Sequence, residues 1–390
     1  MSRRSLLRTI SIRRWWPTVA FGGMAVMGIV LAVATVIEKV GGRETVLRTV
    51  YHSHWFVALW VLWVVGAGSY LLFVARLYRR PAVFLLHLAL WLILVGAFVT
   101  FLFGERSYIH LRIGLPQQMI VGETDGLPRS LPFPVTLVAF ETIRHSHSDL
   151  PADYVSRIQI DGQLHRVATN QISTYRHYRF CQYANDPDEQ GITLLVSRDP
   201  WGIGITYGAY LLLALSMLYL LGRRIGWREM LLLFITVVAV GFYISRINPM
   251  TPVLRTPFLA VHVSLIMVAY LLLLIITVGS VVACFSDKWR IPLYRWNKHL
   301  LYPAIFLLMA GIFVGAVWAN VSWGRYWGWD AKETWALITL FVYAFPLHGA
   351  SLSCFSRPSF FHRYCVWAFL AVLMTSLGVT FLLGGLHSYV

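Results

Sequence analysis

Nine apolar runs, each long enough to cross a membrane, dominate this 390-residue sequence. A helix rises 1.5 Å per residue, so crossing a hydrocarbon core of about 30 Å takes about 20 mainly apolar residues. Only 13% of the residues are charged, against about a quarter in soluble domains. The sequence therefore predicts an all-α polytopic membrane protein with about nine transmembrane helices. The runs are 17–37, 55–75, 82–103, 203–221, 229–245, 259–284, 301–319, 333–352 and 363–383.

The net charge of +16 is explained by topology. With the N-terminus in the cytoplasm and an uncleaved first span, the cytoplasmic segments hold seventeen basic residues against two acidic ones, Glu229 and Asp287. The other side is nearly neutral, with sixteen basic and fifteen acidic residues. Such a positive-inside bias orients membrane helices. The charge therefore gives no reason to expect a nucleic-acid partner.

The one long polar segment, residues 104–202, lies between the third and fourth spans. Its prolines separate short alternating runs, of which 134–138, 156–160 and 192–196 predict strands. We expect a small β-rich domain here, on the extracytoplasmic side. The four cysteines form no C-x-x-C pair, which argues against thiol redox chemistry by the chain itself.

The segment Trp318–Trp335, WANVSWGRYWGWDAKETW, places five tryptophans and a tyrosine between the seventh and eighth spans. One interpretation is an interfacial aromatic belt, although such belts are spread over many helices. Indole rings stack on flat conjugated molecules, and Arg325 or Lys332 can pair with carboxylates, so the segment suits an amphipathic macrocycle such as haem. Asp330 and Glu333 also fit a capping box for the eighth helix.

Four of the thirteen histidines lie at or near membrane depth, where ionisable groups are costly and usually functional. His87 lies about five residues into the third span and His348 about fifteen into the eighth, so both fall roughly 8 Å inside the cytoplasmic boundary. Such a pair suits axial ligation of a haem iron, although a packed core histidine is the usual alternative for either alone. His262 and His387 form a second matched pair at the outer side. The remaining histidines, including His362, are interpreted as solvated, with His54 the first candidate for an exception.

The motif WGRYWGWDAKETWALI resembles the tryptophan-rich WWD signature of haem-handling cytochrome c assembly proteins, in the CcsA (ResC) branch of system II. The front half is similar to the CcsB (ResB) partner, through its three spans and the segments FPVTL, DYVS and NDPDEQGITLLVSRDPWG. Together they indicate a compact CcsB–CcsA fusion. Its expected parts are a CcsB-like block (1–103), the outer domain (104–202), a linking helix and loop (203–228) and a CcsA-like domain (229–390) with its WWD loop at 318–335.

This resemblance implies a holocytochrome c synthase that exports haem b and attaches it to the C-x-x-C-H motifs of apocytochromes c. The positions matching the family's inner haem-iron ligands are His87 and His348, and those matching the outer ligands are His262 and His387. The loop is implied to present the haem vinyl groups to the substrate thiols. The residues assigned to catalysis are His262, His387, Trp323, Trp327, Trp329 and Asp330. Further haem-binding residues are Trp318, Arg325, Tyr326 and Trp335.

The resemblance also implies the inner membrane of a bacterium, with a cytoplasmic N-terminus and a periplasmic WWD loop and C-terminus. Expected partners are apocytochromes c, a thioredoxin-like protein that keeps their thiols reduced, and membrane lipid. Three alternatives remain open. A haem exporter or chaperone, or a bis-histidine haem b electron-transfer protein, would use the same histidines, whereas a transporter of another aromatic substrate would bind no haem.

Overall fold

The computed structural model describes residues 3–145, 151–246 and 256–383, with side chains from Trp16 onward. Ten α-helices lie in these residues. They are α1 (Arg3–Gly41), α2 (Arg43–Val46), α3 (His54–Ser69), α4 (Pro81–Phe103), α5 (Gly202–Gly222), α6 (Trp227–Arg246), α7 (Pro257–Phe285), α8 (Asp287–Trp323), α9 (Ala331–Leu347) and α10 (Pro358–Leu373). Segments of π-helix continue α3 to Val74 and α10 to Leu383.

Eight helices among the described residues are long and apolar enough to cross a membrane. They correspond to eight of the nine predicted runs. The exception is the run 333–352, where α9 has only 17 residues. Its rise of about 26 Å is shorter than a hydrocarbon core of about 30 Å. The predicted count of nine is therefore one too high by this measure, because the chain leaves the helix at His348.

The segment between α4 and α5 forms one eight-stranded antiparallel sheet, which confirms the predicted β-rich domain. Its strands are β1 (Glu105–Arg112), β2 (Pro116–Gly122), β3 (Pro128–Arg144), β4 (Pro151–Ile160), β5 (Gln163–Ala168), β6 (Ser173–Tyr175), β7 (Tyr178–Asn185) and β8 (Gly191–Arg198). Their order is β5-β4-β3-β2-β1-β8-β7-β6. Alternate side chains such as Ile109, Leu111, Val135 and Leu137 form the domain core, as the two-residue period of a strand requires.

Two apolar cores hold the helices together, and α9 contributes to both. The larger core packs α5, α7, α8, α9 and α10 around residues such as Leu308 and Tyr343. The smaller core joins Leu31 of α1 and Phe56 of α3 to Ile338 of α9. The tryptophan-rich segment leads directly into α9, so its position depends on both halves of the chain.

The sheet is docked on the C-terminal end of α8. Arg179 of β7 donates to the side-chain and main-chain oxygens of Asn320, at 2.9 and 3.0 Å. Asn320 in turn donates to the hydroxyl of Tyr207 in α5, at 3.1 Å. Arg179 and Asn320 are both buried, and a buried charge-assisted bond is costly to break. The β-domain is therefore tied to the segment that the sequence singled out.

Candidate functional site

The structure brings His87 and His348 together, although 260 positions separate them along the chain. Their ring centroids lie 6.0 Å apart, with an angle of 82° between the ring planes. His87 projects from the second turn of α4, and His348 is the C-cap residue of α9. The expectation that His348 lies inside its helix is corrected: the helix ends one residue earlier. A turn that follows α9, and not the helix itself, therefore carries His348.

The two imidazoles share one hydrogen-bonding arrangement. Nδ1 of His87 lies 2.8 Å from the carbonyl oxygen of Val83, and Nδ1 of His348 lies 2.8 Å from that of Ala344. A carbonyl oxygen can only accept, so each Nδ1 carries the proton and each Nε2 keeps its lone pair. Such backbone contacts fix the tautomer of metal-binding histidines. In the neutral ring this arrangement leaves Nε2 of each histidine for a metal, a donor set that suits haem iron.

Residues of the front block, which is residues 1–103, surround the turn that carries His348. The ring of Phe21, on α1, lies edge-on to His348 with centroids 5.3 Å apart. The hydroxyl of Tyr70 donates to Oγ of Ser351 at 2.8 Å, and the Ser351 N–H donates to the His348 carbonyl at 2.8 Å. The inner pair is therefore held by α1, α3 and α4 as well as by α9.

His262, near the start of α7, lies against two glycines of α8. Its Nδ1 lies 2.7 Å from the carbonyl oxygen of Gly311, which again assigns the proton to Nδ1. A Cβ on Gly315 would lie 2.6 Å from Nδ1 of His262. Only glycine allows the ring to approach α8 this closely. The predicted partner His387 lies outside the described residues. Among the described residues there is no cluster of three or more metal-binding side chains.

The tryptophan-rich loop begins where α8 ends. Gly324 caps that helix in the left-handed conformation, at φ +69°, as is common at helix C-termini. A Cβ there would meet Sγ of Cys181 in β7 at 3.0 Å, so the loop passes directly under the sheet. Trp329 also has positive φ, +54°. For a bulky residue this conformation is strained and marks an over-determined position.

Trp329 is the centre of an aromatic cluster that the front block completes. Its ring stacks on Tyr51 with centroids 4.8 Å apart and planes within 8°. Phe56 and Trp327 meet it edge-on, at 5.4 and 6.0 Å. Offset stacking and edge-to-face contacts are the favourable aromatic geometries. The segment between α2 and α3, together with the start of α3, thus supports the loop.

Asp330 forms the capping box expected from the sequence. It accepts from the Lys332 N–H at 2.9 Å, while Glu333 accepts from the N–H groups of Asp330 and Gly328. Both residues begin α9, and an aspartate there also complements the helix dipole. Asp330 therefore has a structural role, whatever it adds to catalysis.

The aromatic residues that remain of the predicted loop site make three separate sets of contacts. Tyr326 packs between Tyr207 and Tyr210 of α5, with centroids 5.5 and 5.9 Å away, and burial raises its pKa. Trp335 donates to Oγ1 of Thr35 at 3.1 Å. Trp318 and Trp323 contact each other at 5.0 Å.

Two buried indole N–H groups of the loop region, those of Trp318 and Trp327, have no hydrogen-bond partner among the described residues. An unpaired buried donor costs about 1–3 kcal/mol. Such donors are expected where a bound molecule supplies the acceptor or where strain is tolerated for function. These unpaired donors favour a ligand surface at the loop on structural grounds, independent of its tryptophan content.

Sequence reasoning missed several neighbours of this site. Arg43, just after α1, donates to the Gly328 carbonyl at 2.7 Å, and nothing in its local pattern signals that contact. The interpretation of His362 as solvated is wrong: it is 0% exposed. Its ring nitrogens contact Ser280 Oγ and the Arg290 carbonyl, so it ties α10 to α7 and α8. A hydrogen bond to each ring nitrogen gives it the satisfied role of a core histidine.

Comparison with known proteins identifies the family to which the C-terminal half of the chain is similar. The sequence model of the family described as Cytochrome C assembly protein matches residues 203–387. The protein CcsA of Guillardia theta, described as a cytochrome c biogenesis protein, is 30% identical over 221 residues, covering 48% of this chain and 71% of CcsA. The chain belongs to the cytochrome c assembly protein family.

Two further relatives agree with this membership. Protein NrfI of Wolinella succinogenes is 35% identical over 203 residues, which are 45% of this chain and 22% of NrfI. CcsA of Gloeobacter violaceus is 48% identical over 85 residues, 21% of this chain and 24% of that protein. The chain thus covers 22% of NrfI and 71% of the CcsA of Guillardia theta. Family membership supports a role in cytochrome c maturation for this multi-pass membrane protein.

Proposed function

We propose that this protein moves haem outward across the membrane and attaches it covalently to the C-x-x-C-H motifs of apocytochromes c, as a holocytochrome c synthase. The observation that carries the proposal is the inner pair. Two imidazoles, His87 and His348, come from the two halves of the chain and meet edge-on with their ring centroids 6.0 Å apart. Nδ1 of each is bonded to a carbonyl, which leaves Nε2 of the neutral ring for a metal.

We infer that the chain is a compact CcsB–CcsA fusion whose WWD loop is 318–335. The family match begins at residue 203, so the front block (1–103) and the outer domain (104–202) precede it. The link (203–228) and nearly all of the CcsA-like domain (229–390) lie within it. We also infer that α9 makes a ninth crossing. It contributes to both helical cores. The turn after Leu347 adds the length that the 17 residues of α9 lack for crossing the hydrocarbon core.

The proposed location is the inner membrane of a bacterium. The positive-inside bias favours a cytoplasmic N-terminus, which puts the β-domain, the WWD loop and the C-terminus in the periplasm. Haem b, the substrate, would then meet His87 and His348 near the cytoplasmic face. It would leave towards His262 and His387 on the outer side, with lipid around the helices.

At the outer site the chain's residues would mainly position the reactants. His262 and His387 would hold the iron, Trp318 and Trp327 would offer N–H donors to the porphyrin, and Trp323 and Trp335 would offer ring faces. Trp329, Asp330 and Tyr326 would fix the loop. Each substrate thiol adds across a haem vinyl group: a carbon–sulfur bond forms, the thiol hydrogen goes to the other vinyl carbon, and no oxidant is consumed. Orientation alone can supply a large rate enhancement. A thioredoxin-like partner would keep the thiols reduced.

The test is co-expression with a C-x-x-C-H apocytochrome in a bacterium stripped of its own maturation genes, followed by a haem stain on a denaturing gel. We expect covalent haem with the wild type, loss with His262→Ala, and retention with His299→Ala. His299 is a matched control because it lies on the cytoplasmic part of α8, near Glu229.

Other results would separate the alternatives. Non-covalent haem in the purified protein without covalent product would favour an exporter or an electron-transfer protein. A purified protein with no haem spectrum in any variant would contradict haem handling altogether.

A further inference from the structure

The hairpin of α7 and α8 is longer than a membrane crossing requires. α7 has 29 residues and α8 has 37, which correspond to about 44 and 56 Å of helix. A hydrocarbon core is only about 30 Å thick. Ser286 alone separates the two helices, so the chain reverses direction sharply there. We call the residues on both sides of this reversal, 276–299, the hairpin tip.

Hydrogen bonds at two levels fix the register of the hairpin. Nδ2 of Asn297 donates to the Ile276 carbonyl and to Oγ of Ser280, at 3.0 Å each. Further along the hairpin, Nδ1 of His262 lies 2.7 Å from the Gly311 carbonyl. The last turns of α7 therefore lie directly beside the first turns of α8.

The two arms of the tip differ in chemistry. α7 contains no lysine, arginine, aspartate or glutamate, so the first arm is apolar to its end. The first thirteen residues of α8 hold six ionisable side chains, those of Asp287, Lys288, Arg290, Arg295, Lys298 and His299. The tip consequently joins an apolar arm to a basic arm.

Both arms expose large side chains. On the apolar arm, Phe285 is 89% exposed, and Val278 and Val282 are exposed as well. On the basic arm, Trp289 and Trp296 are 49% and 66% exposed. These two tryptophans are seven residues apart, close to two helical turns, so they lie on one face of α8. Tryptophan is enriched where a membrane meets water, which is the environment that this aromatic face indicates.

The basic side chains next to this face have no local counterion. Lys288 and Arg295 are exposed, are also seven residues apart, and form no ion pair with any described residue. Nζ of Lys288 lies over the ring of Trp289, 5.7 Å from its centroid. The one carboxylate of this arm, that of Asp287, pairs with Arg290. Residues 287–299 therefore carry an excess of positive charge.

The turn between α5 and α6 enlarges the basic surface. Glu229, near the start of α6, lies 3.6 Å from Nε2 of His299, so the turn is next to the basic arm. Arg223 and Arg224 are exposed in this turn, and the Arg224 guanidinium lies over the ring of Tyr302 at 4.7 Å. Two separate segments of the chain thus contribute to one positively charged surface.

The composition of the tip determines where it is stable. A tip that projected into water would expose the apolar arm, including Phe285, to solvent. A tip inside the hydrocarbon would bury Lys288 and Arg295, and charged side chains are costly there. The headgroup layer accommodates both arms, as it does for amphipathic helices that lie in the interface.

Contacts with the start of α10 hold the tip in one orientation. The hydroxyl of Tyr294 donates to the Phe355 carbonyl at 3.1 Å, and its ring meets that of Phe361 edge-on at 5.1 Å. Nε2 of His362 lies 3.0 Å from the Arg290 carbonyl. The aromatic and basic side chains of α8 are therefore presented by a fixed support.

We propose that the hairpin tip is a binding surface for anionic phospholipids. Lys288 and Arg295 contact the headgroup phosphates. Trp289 and Trp296 lie at the level of the ester carbonyls, where the indole N–H donates and the ring stays in apolar surroundings. The occupant is lipid because the tip continues the exterior of two membrane-spanning helices, and because its charge is opposite to that of anionic headgroups. The inference goes beyond the proposed function and does not depend on it.

The experiment titrates the full-length purified chain in a neutral detergent with dioleoylphosphatidylglycerol, which is anionic, or with dioleoylphosphatidylcholine, which is zwitterionic. Native mass spectrometry counts the bound lipids. We expect the wild type to bind the anionic lipid about tenfold more tightly. The double variant Lys288→Gln/Arg295→Gln should lose most of this preference, and added salt should weaken it in the wild type.

Arg79→Gln/Arg80→Gln is the matched control. These two arginines are exposed where the chain passes from α3 to α4, and the double variant loses the same charge, so the preference should remain. Trp289→Ala/Trp296→Ala should weaken the binding of both lipids alike, because the rings do not distinguish the headgroups. All of the replaced side chains are exposed, and thermal unfolding without added lipid should confirm that each variant is folded.

Equal affinity of the wild type for the two lipids would overturn the proposal, even if a variant failed to fold. An equal loss of preference in the control and in Lys288→Gln/Arg295→Gln would also overturn it, because total charge alone would then explain the binding. A dimer that Trp289→Ala/Trp296→Ala dissociates would overturn it as well, since the tip would then join two copies of the chain. None of these results bears on covalent haem formation, so the proposed function is tested separately.

Discussion

The stack of Trp329 on Tyr51 makes a quantitative test of how the front block supports the loop. The two rings are nearly parallel, 4.8 Å apart, and Tyr51 is only 3% exposed. A pair in this geometry contributes about 0.5–1.5 kcal/mol beyond its area burial. Truncation of a buried tryptophan to alanine costs about 3–5 kcal/mol. We expect less for Trp329→Leu, because Trp329 is only partly buried and leucine keeps part of the volume.

The perturbation is a double-mutant cycle with Tyr51→Leu and Trp329→Leu. The positive φ of Trp329 strains leucine and tryptophan alike, so this strain cancels from the coupling energy. The edge contacts of Trp329 with Phe56 and Trp327 cancel in the same way. We expect a coupling energy of about 1 kcal/mol.

The assay measures the free energy of unfolding of the purified protein in mixed micelles as the denaturing detergent increases. Tyr51→Phe is the control: it keeps the ring and therefore the stack, so its cycle with Trp329→Leu should return a coupling near zero. For the Tyr51→Leu cycle, a coupling below about 0.3–0.5 kcal/mol, within ordinary additivity error, would refute the stack as a support for the loop. Covalent haem formation by the same variants would show whether the support matters for the chemistry.

Three further outcomes follow from single contacts. Gly315→Ala should displace His262, because the new Cβ would lie 2.6 Å from its Nδ1. The covalent haem seen on a stained gel should then fall by about 100-fold. Gly22→Ala is the control: its Cβ would have nothing within 4 Å, so covalent haem should not change. Asp330→Ala should lower the free energy of unfolding by about 0.5–2 kcal/mol, and Asp330→Asn, which keeps the capping oxygen, should lower it less. Burial raises the pKa of Cys181 to about 11, so its thiol should stay protonated and resist iodoacetamide at about pH 8, and rapid labelling of the folded protein by mass spectrometry would contradict this.

Part of the candidate site could be predicted from depth alone. The depth of a residue in the membrane follows from its position along its own helix, at 1.5 Å per residue. The sequence could therefore identify His87 and His348 as a pair of equal predicted depth. It could not show that the two helices are neighbours, because lateral position depends on packing across the bundle. The same limit hid Arg43, whose contact with Gly328 joins residues 285 positions apart.

The sequence by itself determined the elements whose cause is local. Apolar runs long enough to span the membrane set the long helices, alternation set β3, β4 and β8, and Asp330 with Glu333 set the start of α9. The tertiary structure alone decided the burial of His362, the early end of α9 at Leu347 and the left-handed backbone of Trp329. Each of these depends on what neighbouring segments place around the residue. The local sequence pattern determines which secondary structure one segment prefers. The conformation of the loop is instead determined by its contacts with α1, α5, β7 and the Tyr51 segment together.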